Sequence, residues 1–285
     1  MKISTCQMTP ITNDKKTNRL KMTDFIKDAA KEGSQLIVFP ELVLTGYYCA
    51  DNFFEVAETI PGYSTQYFEK IAAQENIYIL WGMPEEGMDG VLYNAAALVG
   101  PEGFVGKWRK NFLPGHATDL EGDGAFPDRR FFKMGQELEV FQTAIGKIAC
   151  LICYDIFFPE LSRLLTLKGA DILVGISGSP AFEKDIFEPI VKVRAMENTV
   201  PFIYTNLVGN EGKTTYWGGS CVYEAGDKIK KVPGSPMVSK SSYENEEQVT
   251  VELNLNKKEI RPFFPVLRDL DEKVYYQLLN AVKNR

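Results

Sequence analysis

An acid, a cation and a thiol each stand where an apolar, strand-like run of this sequence ends. Glu41 follows Leu36-Ile-Val-Phe-Pro40, Lys110 follows the run from Gly103 to Trp108, and Cys153 closes Ile148-Ala-Cys-Leu-Ile152. A carboxylate that takes a proton, an ammonium that holds a developing negative oxygen and a thiol that attacks are the set needed for nucleophilic attack on a carbonyl without histidine. Each residue singly has a plainer explanation. Glu41 suits the first turn of a helix, where an acid complements the macrodipole. Lys110 suits a solvated surface, and a buried free cysteine behaves as a small hydrophobe. Their shared placement at strand ends, where α/β sheets carry their sites, favours chemistry.

Other machinery is harder to build. Cys150 and Cys153 look like a redox or metal pair, but residues three apart on a strand point to opposite faces and do not meet unless the strand breaks. His116 is the only histidine. Zinc sites needing two or three imidazoles are therefore excluded, and any Ser/His/Asp or Cys/His device rests on that one side chain. No metal is expected.

The elements that must position these residues follow from periodicity. Lys2 to Met8 alternates like a strand, and Asn18 to Lys31 carries Leu20, Met22, Phe25, Ile26, Ala29 and Ala30 at helical spacing, ending at Gly33. The same order recurs: a helix over Thr65 to Glu75 before the strand Ile77 to Trp81, and a helix over Leu161 to Lys168 before the strand Ile172 to Ile176. Helices alternating with fully apolar strands indicate an α/β fold of sheets covered by helices. Hairpin-like pieces at Val91 to Val99, Gly103 to Trp108 and Val140 to Cys153 make the sheets mixed. Leu113 to Arg130, long and turn-rich, reads as a loop over a site, and Val232 to Glu247 as a surface loop. Phe39-Pro-Glu-Leu42 is echoed by Phe158-Pro-Glu-Leu161. No linker or composition break divides the chain, so one domain spanning 1–285 is expected.

Composition narrows the partners. The 285 residues are 45% hydrophobic and 25% charged, with a net charge of −6, which is ordinary globular usage. An acidic chain without a cluster of five cations is a poor duplex binder, so no nucleic acid is expected and a small ligand is. The first ten residues lack an apolar signal region and no stretch approaches the roughly 18 to 20 apolar residues of a membrane span. A cytoplasmic protein with no membrane partner and five free thiols is expected.

With these residues in view, the sequence resembles the nitrilase superfamily of carbon–nitrogen hydrolases over nearly its whole length. Leu36 to Leu42 followed by Thr45-Gly-Tyr47 resembles the block with the family's general base, which implies that role for Glu41. Trp108-Arg-Lys-Asn111 resembles the lysine block and implies the cation at Lys110. Cys150-Leu-Ile-Cys-Tyr-Asp-Ile-Phe-Phe-Pro-Glu160 resembles the nucleophile block and implies Cys153 as the attacking thiol. Arg194-Ala-Met-Glu-Asn198, followed by Asn206, is similar to another family segment. Three blocks in order are far more specific than one motif. The resemblance implies a four-layer αββα sandwich, assembly into a homodimer or larger homo-oligomer, and no cofactor. It implies hydrolysis of a small amide through a thioester, with Lys110 and the backbone N–H of Tyr154 holding the oxyanion.

The sequence departs from the family in places that bear on substrate. Many relatives carry a second glutamate seven residues before a glycine; counting back from Gly135 gives Asp128, one methylene shorter, with Glu121 as competing acid. The plain alternative for Asp128 is a surface ion pair with Arg129 or Arg130. Tyr154-Asp155 after the nucleophile resembles the amidase branches rather than true nitrilases. Phe157 stands where relatives acting on ω-amides of keto acids have arginine, and Phe187 where several have tryptophan. Tyr47, Tyr154, Phe157 and Phe187 are expected against the substrate, pointing to a neutral or apolar acyl group. The alternatives are an N-carbamoyl amide or ω-amide hydrolase, a binding protein that has lost turnover, and a protease-like hydrolase using His116.

Overall fold

The apolar runs pair into two six-stranded sheets in the computed structural model, which describes residues 1–115, 128–226, 236–255, 261 and 265–284. The first sheet contains β1 (Lys2–Gln7), β2 (Leu36–Val38), β3 (Tyr78–Glu86), β4 (Leu92–Gly100) and β5 (Gly103–Arg109), with β14 (Glu247–Glu252) beside β1. The second contains β6 (Phe141–Thr143), β7 (Gly146–Ile152), β8 (Ile172–Ser177), β9 (Phe202–Asn206), β12 (Cys221–Tyr223) and β13 (Met237–Lys240). A hairpin of β10 (Val208–Glu211) and β11 (Thr214–Trp217) stands apart. Within each sheet three strands run parallel, β1, β2 and β3 in one and β7, β8 and β9 in the other, while their outer neighbours are antiparallel. The sheets are mixed, as the hairpin signals implied.

Side-chain alternation assigns the layers. On β2, Leu36 and Val38 enter a core shared with the second sheet, whereas Ile37 turns the other way, toward α1 (Lys15–Lys31) and α3 (Tyr63–Glu75). Met22, Ile26 and Ala29 of α1 and Phe68 and Ala72 of α3 are buried there. Over the second sheet, α5 (Pro159–Leu167) contributes Leu161 and Leu165, and α6 (Lys184–Asn198) contributes Phe187, Val191 and Ala195. The result is the expected αββα sandwich.

Two expectations change. Val232 to Glu247 is not simply a surface loop, because Met237–Lys240 pairs with β12 as the sheet's edge strand. Leu113 to Arg130 is not irregular to its end either: Asp128–Phe131 forms a helical turn, α4, whose Phe131, with the following Phe132, packs on Phe53 with ring centroids 5.4 and 4.9 Å away. His116 and Glu121 lie outside the described residues. The Phe-Pro-Glu-Leu echo has no chemical counterpart, since Glu41 is fully buried while Glu160 opens α5 on the surface.

The chain after β2 makes a tight turn across β3. Gly82 N–H donates to the Pro40 carbonyl at 3.0 Å, and Leu42 has a φ of 47°. A Cβ on Gly82 would lie 2.5 Å from both Glu41 Cα and Leu42 N, contacts with backbone that no rotamer change relieves. Only a glycine on β3 lets the Glu41 turn sit this close. Gly82→Ala is expected to cost about 1–3 kcal/mol of stability. By displacing Glu41 it should also lower catalytic turnover by a factor on the order of 10². Chemical denaturation together with steady-state kinetics checks both.

Candidate active site

The proposed base, cation and second acid meet in one buried cluster. Lys110, the residue after β5, is fixed by its N–H donating to the Asn94 carbonyl at 2.8 Å and by its own carbonyl accepting from Gly135 N–H at 2.7 Å. Its ammonium donates to Glu41 Oε1 at 2.8 Å and to Asp128 Oδ1 at 2.7 Å, and all three side chains have no solvent exposure. Burial works against the charge on Lys110, but Asp128 and Glu41 outweigh it and hold the ammonium well above the ordinary lysine range.

Asp128 is thus no surface ion-pair partner. Arg129 donates to the Leu113 carbonyl and Arg130 to Asp51, leaving Asp128 to Lys110. The shorter acid reaches because α4 is pinned against Phe53 and because the N–H of Lys133 donates to the Leu92 carbonyl at 2.8 Å.

Glu41 is saturated on one oxygen. Its Oε1 accepts from Lys110, from Tyr47 OH at 2.8 Å and from Asn94 Nδ2 at 2.7 Å, while Oε2 accepts from Gly178 N–H at 2.7 Å. Tyr47, expected against the substrate, is therefore a buried donor to Glu41. Burial, with Asp128 and Glu41 beside it, pushes its phenol up so that it stays protonated. Sequence reasoning missed Asn94 and Gly178. Asn94 had a signal, a lone amide inside the apolar run Leu92-Tyr-Asn-Ala-Ala-Ala-Leu98. Gly178 had none, because its role comes from a backbone N–H and from leaving room for the Tyr47 ring, 2.5 Å from where a Cβ would sit.

Cys153 starts a 3₁₀ turn, Cys153–Phe157, directly after β7, and has a φ of 49°, a left-handed conformation costly for a residue with a side chain. This break ends the strand alternation and turns the thiol out of the sheet toward the cluster. Burial and the Glu41 charge push the thiol well above its usual range, with Lys110 acting in the opposite direction. The group rests as a neutral thiol and needs a base. All five cysteines are free, Cys150 among them.

Two side chains hold the turn. Arg194 donates to the carbonyls of Ile156 and Phe157, at 2.8 and 2.9 Å. Asp155 accepts from Ile152 N–H in the second sheet and from Asn111 and Phe112 N–H beside Lys110, at 2.8–3.3 Å. Its carboxylate ties the nucleophile turn to the lysine segment.

Comparison with known proteins identifies the family. A family model for carbon–nitrogen hydrolases matches residues 2–234. The chain belongs to the carbon–nitrogen hydrolase family. The enzyme is an amidase-type hydrolase by that membership. It is 33% identical to a nitrilase of Pyrococcus abyssi over 97% of this chain and 100% of that one. It is 30% identical to an omega-amidase of Homo sapiens, covering 93% of each. A carbon–nitrogen hydrolase from Helicobacter pylori G27 superposes with a TM-score of 0.86 at 25% identity, covering 98% of both chains.

Around the hydrolase's thiol the aromatic residues form a continuous wall. Phe157 meets Phe187 edge-on at 5.0 Å, Phe187 lies 6.0 Å from Tyr204, and Tyr154 packs on Phe157 and Phe158 at 5.4 and 5.2 Å. Phe187 is wholly buried, while Phe157 and Tyr154 are half-buried. No helix among the described residues is long and apolar enough to cross a membrane, and none of their His, Cys, Asp and Glu side chains gather into a metal-binding group.

Two outcomes follow from the geometry. Asp128→Asn leaves the Lys110 ammonium with one countercharge, so it should cost about 3 kcal/mol of stability. It should also slow amide hydrolysis by a factor on the order of 10². Asp128→Glu, which must fit an extra methylene into a closed cluster, should also be slower than the parent. Thermal melts and initial rates measure both. The Asp155 carboxyl is pushed up to about 7 by burial, against its three N–H donors and Lys110. Its ionised form, the better acceptor, prevails only above that pH, so hydrolysis should fall as pH drops through about 7, and Asp155→Asn should remove that limb of the profile. Because the folded value lies above the ordinary 3.8, the stability contributed by this group is greatest in acid and is lost as pH rises through about 7.

Proposed function

We propose that this hydrolase cleaves a small, carboxylate-free aliphatic amide through a thioester on Cys153, releasing ammonia. The observation that carries the reading is the buried Glu41–Lys110–Asp128 cluster beside a thiol held in a left-handed turn. Glu41 Oε2, whose described donor is the Gly178 N–H alone, takes the thiol proton. The sulfur attacks the amide carbon, and the carbonyl electron pair moves onto oxygen, where Lys110 and the Tyr154 N–H hold the charge. When the pair returns, the C–N bond breaks and Glu41 gives its proton to the departing nitrogen. Glu41 then takes a proton from water, whose oxygen attacks the thioester; the C–S bond breaks, Glu41 returns the proton to sulfur, and the acid leaves.

Asp128 and Tyr47 act by holding Lys110 and Glu41 in place. The aromatic wall favours an acyl group without a carboxylate, because a buried unpaired carboxylate costs several kcal/mol. A second reading, ω-amide hydrolysis, is favoured by the human relative's name. It requires a cation for the distal carboxylate. Lys110 is engaged with two acids, and Arg194 faces two carbonyls and Glu197.

Cys153→Ala is expected to abolish ammonia release from butyramide while the fold persists, and Glu41→Gln to do the same. Intact-mass spectrometry of the parent during turnover should show the butyryl adduct on Cys153. Residual turnover by Cys153→Ala would sink the mechanism, and faster hydrolysis of glutaramate than of butyramide would favour the ω-amide reading.

A further inference from the structure

One acid near the thiol has no part in the steps above. Glu183 closes the short turn Ala181–Glu183 and occupies the N-cap position of α6, yet its side chain makes no capping hydrogen bond. Its Oε2 instead accepts from Ser179 Oγ at 2.8 Å, and Ser179 Oγ in turn accepts from Trp217 Nε1 at 3.0 Å. Ser179 is itself fixed, its N–H donating to Asn206 Oδ1 at 2.8 Å and its carbonyl accepting from Asn206 Nδ2 at 3.2 Å. The carboxylate is thereby aimed by a relay of buried groups rather than left to swing on the surface.

Its surroundings contain charge that it does not neutralise. Glu183 is close enough to push the Cys153 thiol up, and its own carboxyl is raised by burial, with Glu41 adding to that and Ser179 and Lys110 opposing it. Two nearby cations are committed elsewhere: Lys110 to Glu41 and Asp128, and Lys184 to the face of the Tyr243 ring, 3.6 Å from its centroid. Among the described residues no lysine or arginine forms an ion pair with Glu183. Three acids, Glu41, Asp128 and Glu183, thus surround a thiol with one ammonium between them. An acid fixed beside such a site, with no lysine or arginine partner among the described residues, is a receptor for a cation brought in by the substrate.

We propose that Glu183 is a specificity-determining residue that binds an ammonium group at the far end of the acyl chain, making the preferred substrate an ω-amino amide. The inference rests on the amide hydrolysis proposed above and names its substrate class. The aromatic wall of Phe157 and Phe187 takes the methylenes between the two polar ends, and the acid excludes substrates that end in a carboxylate.

The test compares kcat/KM for ω-amino amides from 3-aminopropanamide to 6-aminohexanamide with their uncharged counterparts, and with glutaramate. At least one ω-amino amide should exceed its uncharged counterpart by about tenfold or more, the scale of one charge-assisted hydrogen bond, with glutaramate slower than either. Glu183→Gln should bring that ratio close to one. Glu183→Asp, which keeps the charge but withdraws it by a methylene, should restore a preference and move it to the next longer chain. A merely structural role for Glu183 would lower all substrates together and leave the ratios unchanged, which overturns the proposal. Hydrolysis of butyramide with no preference in the parent for any ω-amino amide overturns it as well and leaves the amidase reading standing. Absence of hydrolysis of every amide overturns both.

Discussion

A lysine ammonium with no solvent exposure is the constraint on which the site depends. Stripped of water, such a charge is tolerated only with close countercharges in good geometry, and Lys110 has two, at 2.8 and 2.7 Å. The same contacts settle the states of its neighbours. Glu41 receives three donors on one oxygen and keeps the other turned toward the Gly178 backbone. Tyr47 is held as a phenol, and Cys153, in the field of Glu41, is held as a thiol. A protonated nucleophile, an acceptor and a fixed cation are the starting arrangement that base-assisted attack on a carbonyl requires.

The cluster exists because two sheets meet face to face. Glu41 and Lys110 leave the first sheet after β2 and β5, and Cys153 leaves the second after β7. Neither sheet alone holds both the thiol and the cation. Packing of Leu36, Val38 and Leu80 against the interior of the second sheet sets their separation, and Asp155 spans the joint with backbone N–H partners on both sides. Local strain is also found here: Leu42 and Cys153, beside the proposed base and at the proposed nucleophile, are two of the seven described non-glycine residues with a positive φ.

Charge around the thiol is unbalanced in a way that bears on selectivity. The proposed catalytic set consumes its one cation internally, and Glu183, held by Ser179, which Trp217 holds in turn, adds a further negative group on the side where α6 begins. In the wall beside them, Phe157 and Phe187 present only hydrocarbon, and Tyr204 carries a buried hydroxyl. On the proposed reading, a site of this kind discriminates by what it cannot accommodate, an additional carboxylate, as much as by what it attracts.

What could be read from the sequence was whatever depends on neighbours along the chain. Period-two and period-3.6 patterns located β1, α1, α3, β8 and the helix after Cys153, and a common position at strand ends singled out Glu41, Lys110 and Cys153. Asp128 came from the family resemblance, by counting back from Gly135 to the position of the relatives' second glutamate. Met237–Lys240 escaped because a short edge strand with half its residues exposed has no apolar signature. Tyr47 and Asn94 were not recognisable as partners of Glu41, six and 53 residues away from it, nor was the Gly178 N–H, 137 residues away. Local sequence determines which residues lie at the ends of strands and on which face, because alternation and helical period are properties of the backbone itself. Which of those ends share a cavity, and therefore which ammonium is held charged and which thiol stays protonated, was decided only when the two sheets packed and removed the water between them.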